Sequence, residues 1–211
     1  MTRVLNTDST LYLDRLIAQG PIEKYLQRLK EHHDDSYEHS HRVALLAIDL
    51  GYENRLSDTE IRTLGYAGLL HDFGKTSIDA ALLSKPAKLS PEERAAVRYH
   101  PRLGYLQLEE DLFRKVKMVV AGHHEFQTKP FPRSNGDRRG APREASSERR
   151  IEDESIDRLT QIIAISDMFD ALASARSYKD GLSQEKIHDI LRDQFTGDPM
   201  LIDQVLARYP E

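Results

Sequence analysis

The chain has 211 residues, 39% hydrophobic and 31% charged, enough for one domain with a sizeable core. Its formal net charge of -5 argues against a grip on duplex nucleic acid, and the lack of cysteine excludes disulfides, thiolate zinc sites and a cysteine nucleophile. No run reaches the ~18 apolar residues of a membrane span, and the first residues lack the apolar core of a secretory signal, so a soluble cytoplasmic protein is expected.

Residues 11–30 carry Leu13, Leu16, Ile17, Ile22, Tyr25, Leu26 and Leu29 at helical spacing, and Gly20-Pro21 divides them into two packing helices. Residues 1–34 are thus an N-terminal packing region. His32-His33 adjoins no patterned apolar wall and reads as solvent-facing. From Asp35 one helix runs to about Gly51. Asp35 and His39 are four apart and share a face, which Val43, Leu46 and Leu50 continue approximately. His39 therefore falls on the buried side, and His41 points elsewhere.

Ser57-Asp58 caps the next helix, with Glu60 in its first turn. Ile61, Leu64, Ala67, Leu69 and Leu70 form its apolar stripe, and it delivers His71-Asp72. Gly74 is expected to take a backbone conformation closed to other residues, and Lys75 follows where a phosphate can be met. Ser90-Pro91-Glu92-Glu93 is a strong helix start. That helix ends before Pro101, which places His100 at a helix exit. A further helix, from Asp111 to about Gly122, delivers His123-His124. Adjacent helical residues diverge by about 100°, so both rings reach one centre only near a helix end.

Residues 133–157 contain no aromatic residue and no leucine, but six basic and seven acidic side chains. Such a composition cannot offset its ordering entropy, so a charged flexible insert is expected there. Residues 158–175 are the most apolar helix, and Asp167 within it needs a charged partner, a metal ion or an arginine. Two structural helices follow, at 183–194 and 198–209. No segment alternates with period two at length. The expectation is a single all-α domain of about eight helices, with the chemistry-bearing part at 35–211.

One His-Asp dipeptide is roughly what chance supplies in a chain with this many of each residue, so His71-Asp72 needs company. His39, His100, His123, His124 and Asp167 supply it. Five imidazoles and two carboxylates exceed what one zinc ion requires. They suit two or three ions with Asp72 bridging a pair, which can generate a hydroxide near neutral pH and clamp an in-line displacement at phosphorus. Lys75 can neutralise a non-bridging phosphate oxygen. Imidazole and carboxylate accept iron, manganese, zinc and nickel alike.

This order of residues resembles the HD superfamily of metal-dependent phosphohydrolases, and within it the HD-GYP branch, which cleaves cyclic di-GMP. The matching pieces are His39-Ser40 with Arg42-Val43-Ala44, Leu70 to Lys75, Lys85-Pro86, His100-Pro101 with Gly104, and His123-His124-Glu125. Beyond these lie Ser166-Asp167-Met168-Phe169-Asp170-Ala171-Leu172 and Arg176-Ser177-Tyr178-Lys179. The resemblance implies that His39, His71, Asp72, His100, His123, His124 and Asp167 are ligands. It implies that Arg176 and Lys179 contact the phosphates of a dinucleotide. Asp35 stands where some members carry a glutamate for a third ion, one methylene longer.

The branch expects HHExxDGxGYP, whereas here His123-His124-Glu125 is followed by Phe126-Gln127-Thr128-Lys129-Pro130-Phe131-Pro132-Arg133. Phe131 keeps a ring for stacking on substrate without the hydroxyl. Three functions follow from this pattern. The first is a cyclic dinucleotide phosphodiesterase using a metal-bridged hydroxide. The second is a phosphohydrolase of another nucleotide or phosphomonoester. The third is a non-catalytic module that binds the dinucleotide or a signalling protein partner.

Overall fold

Helix starts in this chain are set locally by caps. Ser57 accepts the Glu60 amide while the Glu60 carboxylate accepts the Ser57 amide, and Ser90 and Glu93 repeat the device. A computed structural model describes residues 7–131, 147–174 and 182–208. The described residues hold the helices α1 (Thr7–Gln19), α2 (Glu23–His32), α3 (Asp34–Glu53), α4 (Asp58–Leu70), α5 (Ala80–Leu83), α6 (Pro91–Val97) and α7 (His100–Gln107). They continue with α8 (Glu110–Gly122), α9 (Ser147–Ala173), α10 (Gln184–Gln194) and α11 (Met200–Leu206), and a 3-10 turn at Phe73–Ser77 lies between α4 and α5. The all-α expectation holds, with no strand among these residues beyond the bridge Gln127–Phe195. Eleven α-helical segments replace the expected eight or so, because short helices such as α5 and α7 carry too few turns to show a period.

The core lies between α3, α4, α8 and α9, and α2 closes it over the 3-10 turn. Val43, Leu46 and Leu50 of α3 and Leu159, Ile162 and Ile163 of α9 are buried there, and Ile22, Leu26 and Leu29 beside α2 join the same cluster. Gly68 sets the spacing of α3 and α4: a Cβ there would lie 2.5 Å from Ala44 Cα. None of the described residues is a glycine with positive φ, so Gly74 does not serve the backbone freedom expected of it. It serves close approach instead. A Cβ at Gly74 would lie 2.0 Å from the His100 carbonyl oxygen and 2.5 Å from the Gly104 nitrogen. The 3-10 turn is thereby seated on α7.

Three further expectations are corrected. α9 begins at Ser147, so residues 147–157 of the expected insert are helical, and Ile156 is buried. Their strong helix formers extend a helix whose core lies further along, which composition alone conceals. Residues 133–146 of the insert are outside the described residues. His100 is the first residue of α7 rather than the exit of α6, because Pro101 fits the first turn of the new helix. His32 and His33 are half-buried rather than solvent-facing. The His33 ring caps α3 by accepting the Ser36 amide, and His32 Nε2 lies 2.7 Å from the Ile78 carbonyl oxygen. No described helix is long and apolar enough to cross a membrane.

Candidate metal centre

Three helix ends and two helix interiors supply the site. His39 lies in the second turn of α3. His71 and Asp72 follow the last turn of α4, His100 opens α7, His123 and His124 follow α8, and Asp167 is deep in α9. His71, Asp72, His100 and His123 are buried, and Asp167 is 8% exposed. His39 and His124 are half-buried. Neighbouring rings meet at centroid distances of 5.2 Å (His39–His71), 5.0 Å (His71–His123), 5.1 Å (His100–His123) and 4.1 Å (His123–His124). Their ligand atoms fall into three groups within 4.8 Å: His100, His123 and His124; His39, His71 and Asp72; and His71, His123 and Asp167. The structure thus brings together all seven residues expected to be ligands. It leaves Asp35 apart from these groups, exposed in the first turn of α3.

The rings are presented by a repeated device. Nδ1 of His71, His100 and His123 each bonds the carbonyl oxygen three residues earlier, at Gly68 (2.8 Å), Val97 (2.9 Å) and Val120 (2.6 Å). A carbonyl only accepts, so each Nδ1 carries the proton and each Nε2 turns a lone pair inward. His100 Nε2 lies 3.1 Å from His123 Nε2 and 3.2 Å from Asp72 Oδ1, so with Nδ1 protonated two lone pairs and a carboxylate oxygen converge there. His71 Nε2 is buried without a hydrogen-bond partner. The nearest carboxylate oxygens, of Asp72 and Asp167, lie 3.6 and 3.8 Å away, too far for a hydrogen bond. An unpartnered buried nitrogen and opposed lone pairs are costly unless a cation sits among them. The donor set fits divalent metal ions.

The electrostatics agree. Burial pushes the His71 imidazole down, and burial with the neighbouring His124 pushes His123 well down. Burial takes His124 down to about 3, so these rings stay neutral, as ligands must be. Burial alone would raise the Asp167 carboxyl, but the His39 hydrogen bond holds it far below the usual range. Asp72 is also held well below it against burial, first by Lys75, whose Nζ donates to Oδ2 at 2.5 Å. His39 differs. Its Nε2 meets Asp167 Oδ1 at 2.9 Å and its Nδ1 meets Asp170 Oδ2 at 2.8 Å. Ionised carboxylates only accept, so both nitrogens carry protons, and these bonds outweigh burial to raise His39 to about 9.

A profile of the HD domain family matches residues 25–198. The chain belongs to the HD domain family. Among its curated relatives, the cyclic di-GMP phosphodiesterase response regulator RpfG of Xanthomonas campestris pv. campestris is 34% identical over 173 residues, covering 79% of this chain and 40% of that protein. The 3'3'-cGAMP-specific phosphodiesterase 2 of Vibrio cholerae is 32% identical over 82% of this chain and 31% of its own length. The cyclic di-GMP phosphodiesterase PA4108 of Pseudomonas aeruginosa is 36% identical over 74% of this chain and 34% of its own length. The chain therefore spans about a third to two fifths of these relatives. The HD domain of L. monocytogenes phosphodiesterase PgpH shares the fold, with a TM-score of 0.55 at 18% identity over 87% of this chain and 94% of that one.

Around this HD-domain centre the other expected residues divide. Lys75 is at the site, on Asp72. Phe131 is also there, but its ring lies on His124, at 3.8 Å between centroids with planes 31° apart. Arg176 and Lys179 lie outside the described residues. Asp170 falls within the Ser166–Leu172 motif, where sequence alone gives it no role. It is 1% exposed, bonds His39 Nδ1, and accepts from Arg42 Nε at 2.9 Å and Ser174 Oγ at 3.2 Å. Its signal was the three-residue spacing from Asp167, which puts a second carboxylate on the same face of an apolar helix.

Proposed function

We propose that this chain is a metal-dependent phosphodiesterase acting on a cyclic dinucleotide, with cyclic di-GMP the first substrate to test. The observation that carries the reading is the inward set of Nε2 lone pairs around Asp72 and Asp167, including the unpartnered His71 Nε2. The substrate class is taken from the relatives named above. Two divalent ions, iron or manganese first, would be held by His39, His71, Asp72, His100, His123, His124 and Asp167. Asp35, exposed in the first turn of α3, is the candidate for a third ion.

Divalent ions held here would lower the pKa of water and offset charge growing on phosphate oxygens. The chain does the rest. His71, His100 and His123, each tied through Nδ1, keep fixed orientations, and Asp170 does the same for His39. Lys75 has 22% of its side chain exposed, so its ammonium can turn from Asp72 to a non-bridging phosphate oxygen. Oxygen from water bonds to phosphorus and the P–O3′ bond breaks. The 3′ oxygen leaves with a proton drawn from solvent, giving a linear dinucleotide with a 5′-phosphate. Arg176 and Lys179 are assigned to the substrate phosphates on the family resemblance alone. A second reading, a different nucleotide or phosphomonoester, is favoured by Phe131, which lies on a ligand ring rather than presenting both faces to a base.

The test is Asp72→Ala in manganese- or iron-loaded protein, with metal content and release from cyclic di-GMP measured together. Loss of both supports the reading. Wild-type protein that holds no metal, with unchanged turnover in the variant, refutes it.

A further inference from the structure

Arg98, at the C-terminal end of α6, holds the segment that covers the centre. Its guanidinium carbon lies 4.8 Å from the Phe131 ring centroid, and its Nη2 donates to the carbonyl oxygens of Lys129 and Pro130, each at 3.1 Å. Phe131 in turn lies on His124 and meets His100 edge-on, at 5.8 Å between centroids. The other end of the segment is fixed independently. Thr128 N–H donates to the Gln194 carbonyl at 2.9 Å, and Thr196 N–H to the Phe126 carbonyl at 3.0 Å.

Exposure shows where the centre opens. The side chains of His71, Asp72 and His100 are at most 3% exposed. Lys75 is 22% exposed, His39 16%, His124 14% and Asp167 11%. These four ring the mouth, and the Phe131 ring covers its His124 side. We propose that Arg98 latches Phe131 as a roof over that side, screening the imidazoles from water and limiting how bulky a phosphoester reaches them. A planar guanidinium can stack on the ring and bond carbonyls at once, which an ammonium does poorly. The roof rests on the metal reading above; the latch itself does not.

The test uses the full chain with Arg98→Ala, Arg98→Lys and Phe131→Ala. In metal-free protein, amide hydrogen exchange at Lys129 and Phe131 should quicken about tenfold in Arg98→Ala, with Arg98→Lys between it and wild type, while Thr128, held by Gln194, keeps its wild-type rate. In manganese-loaded protein, EDTA should strip metal about tenfold faster from Arg98→Ala and Phe131→Ala. The ratio of kcat/KM for cyclic di-GMP to that for bis(p-nitrophenyl) phosphate should shift in both. Unchanged exchange overturns the latch, and stripping within twofold of wild type or an unchanged ratio overturns the roof. Wild-type protein that takes up no manganese, yet shows the exchange contrast, overturns the metal reading and leaves the latch standing.

Discussion

Asp170→Asn removes one charge and almost no volume from the centre. Asp170 is 1% exposed, touches none of the grouped ligand atoms except through His39, and binds His39 Nδ1 at 2.8 Å. The amide oxygen of asparagine can still accept that proton, so the ring keeps its orientation. What is lost is the negative charge that makes the imidazole a stronger donor to a cation, and half of the Arg42 pair. Removing such a partner costs 10–100-fold in metal affinity, or about 1.4–2.8 kcal/mol. Asp170→Ala should cost more. It strands the Nδ1 proton, a buried donor worth about 1–3 kcal/mol when unsatisfied.

The assay is competition between protein and a fluorescent chelator for Mn(II), with Tm measured on the metal-free protein. The order wild type, Asn, Ala in affinity, with a smaller Tm change for Asn than for Ala, is expected. Asn and wild-type affinities within twofold would show that the Asp170 charge does not strengthen His39 as a donor, and an Ala variant also within twofold would overturn the account of His39 orientation.

Gly74→Ala should cost about 1–3 kcal/mol, read as a lower Tm and weaker metal retention together, because its Cβ would fall 2.0 Å from the His100 carbonyl oxygen. Ile156→Ala should cost about 2–5 kcal/mol, since the residue is 5% exposed; an unchanged urea midpoint would mean that this end of α9 is not packed. In metal-free protein His39 sits raised to about 9, so its contribution, at most ~3 kcal/mol, is full below pH ~6.5 and lost as pH rises through about 9. Tm should fall across that window, and His39→Gln should flatten the fall. Metal affinity should run the other way, rising with pH as the proton on Nε2 becomes easier to displace.

Periodicity and caps were enough to read the long helices, because each is decided by residues within a turn or two of one another. Ser57 and Ser90 mark helix starts that need no tertiary partner. The seven candidate ligands were legible for a different reason: histidine and aspartate are expensive to bury, so their recurrence on apolar stripes already demanded a shared partner. Roles that depend on contact between distant segments were not legible. Nothing local tells Pro101 to open a helix rather than close one, or Gly74 to make room for α7. Arg98 is the sharpest case. In sequence it is one basic residue at the end of a short helix. Its role exists only because residues 129–131 return to it, carrying an aromatic ring onto His124. A stretch that departs from its family's pattern therefore has to be judged by what the fold sets against it. Here the rewritten run is gripped at both ends, by α10 and by Arg98, and it sets Phe131 against His124 and His100.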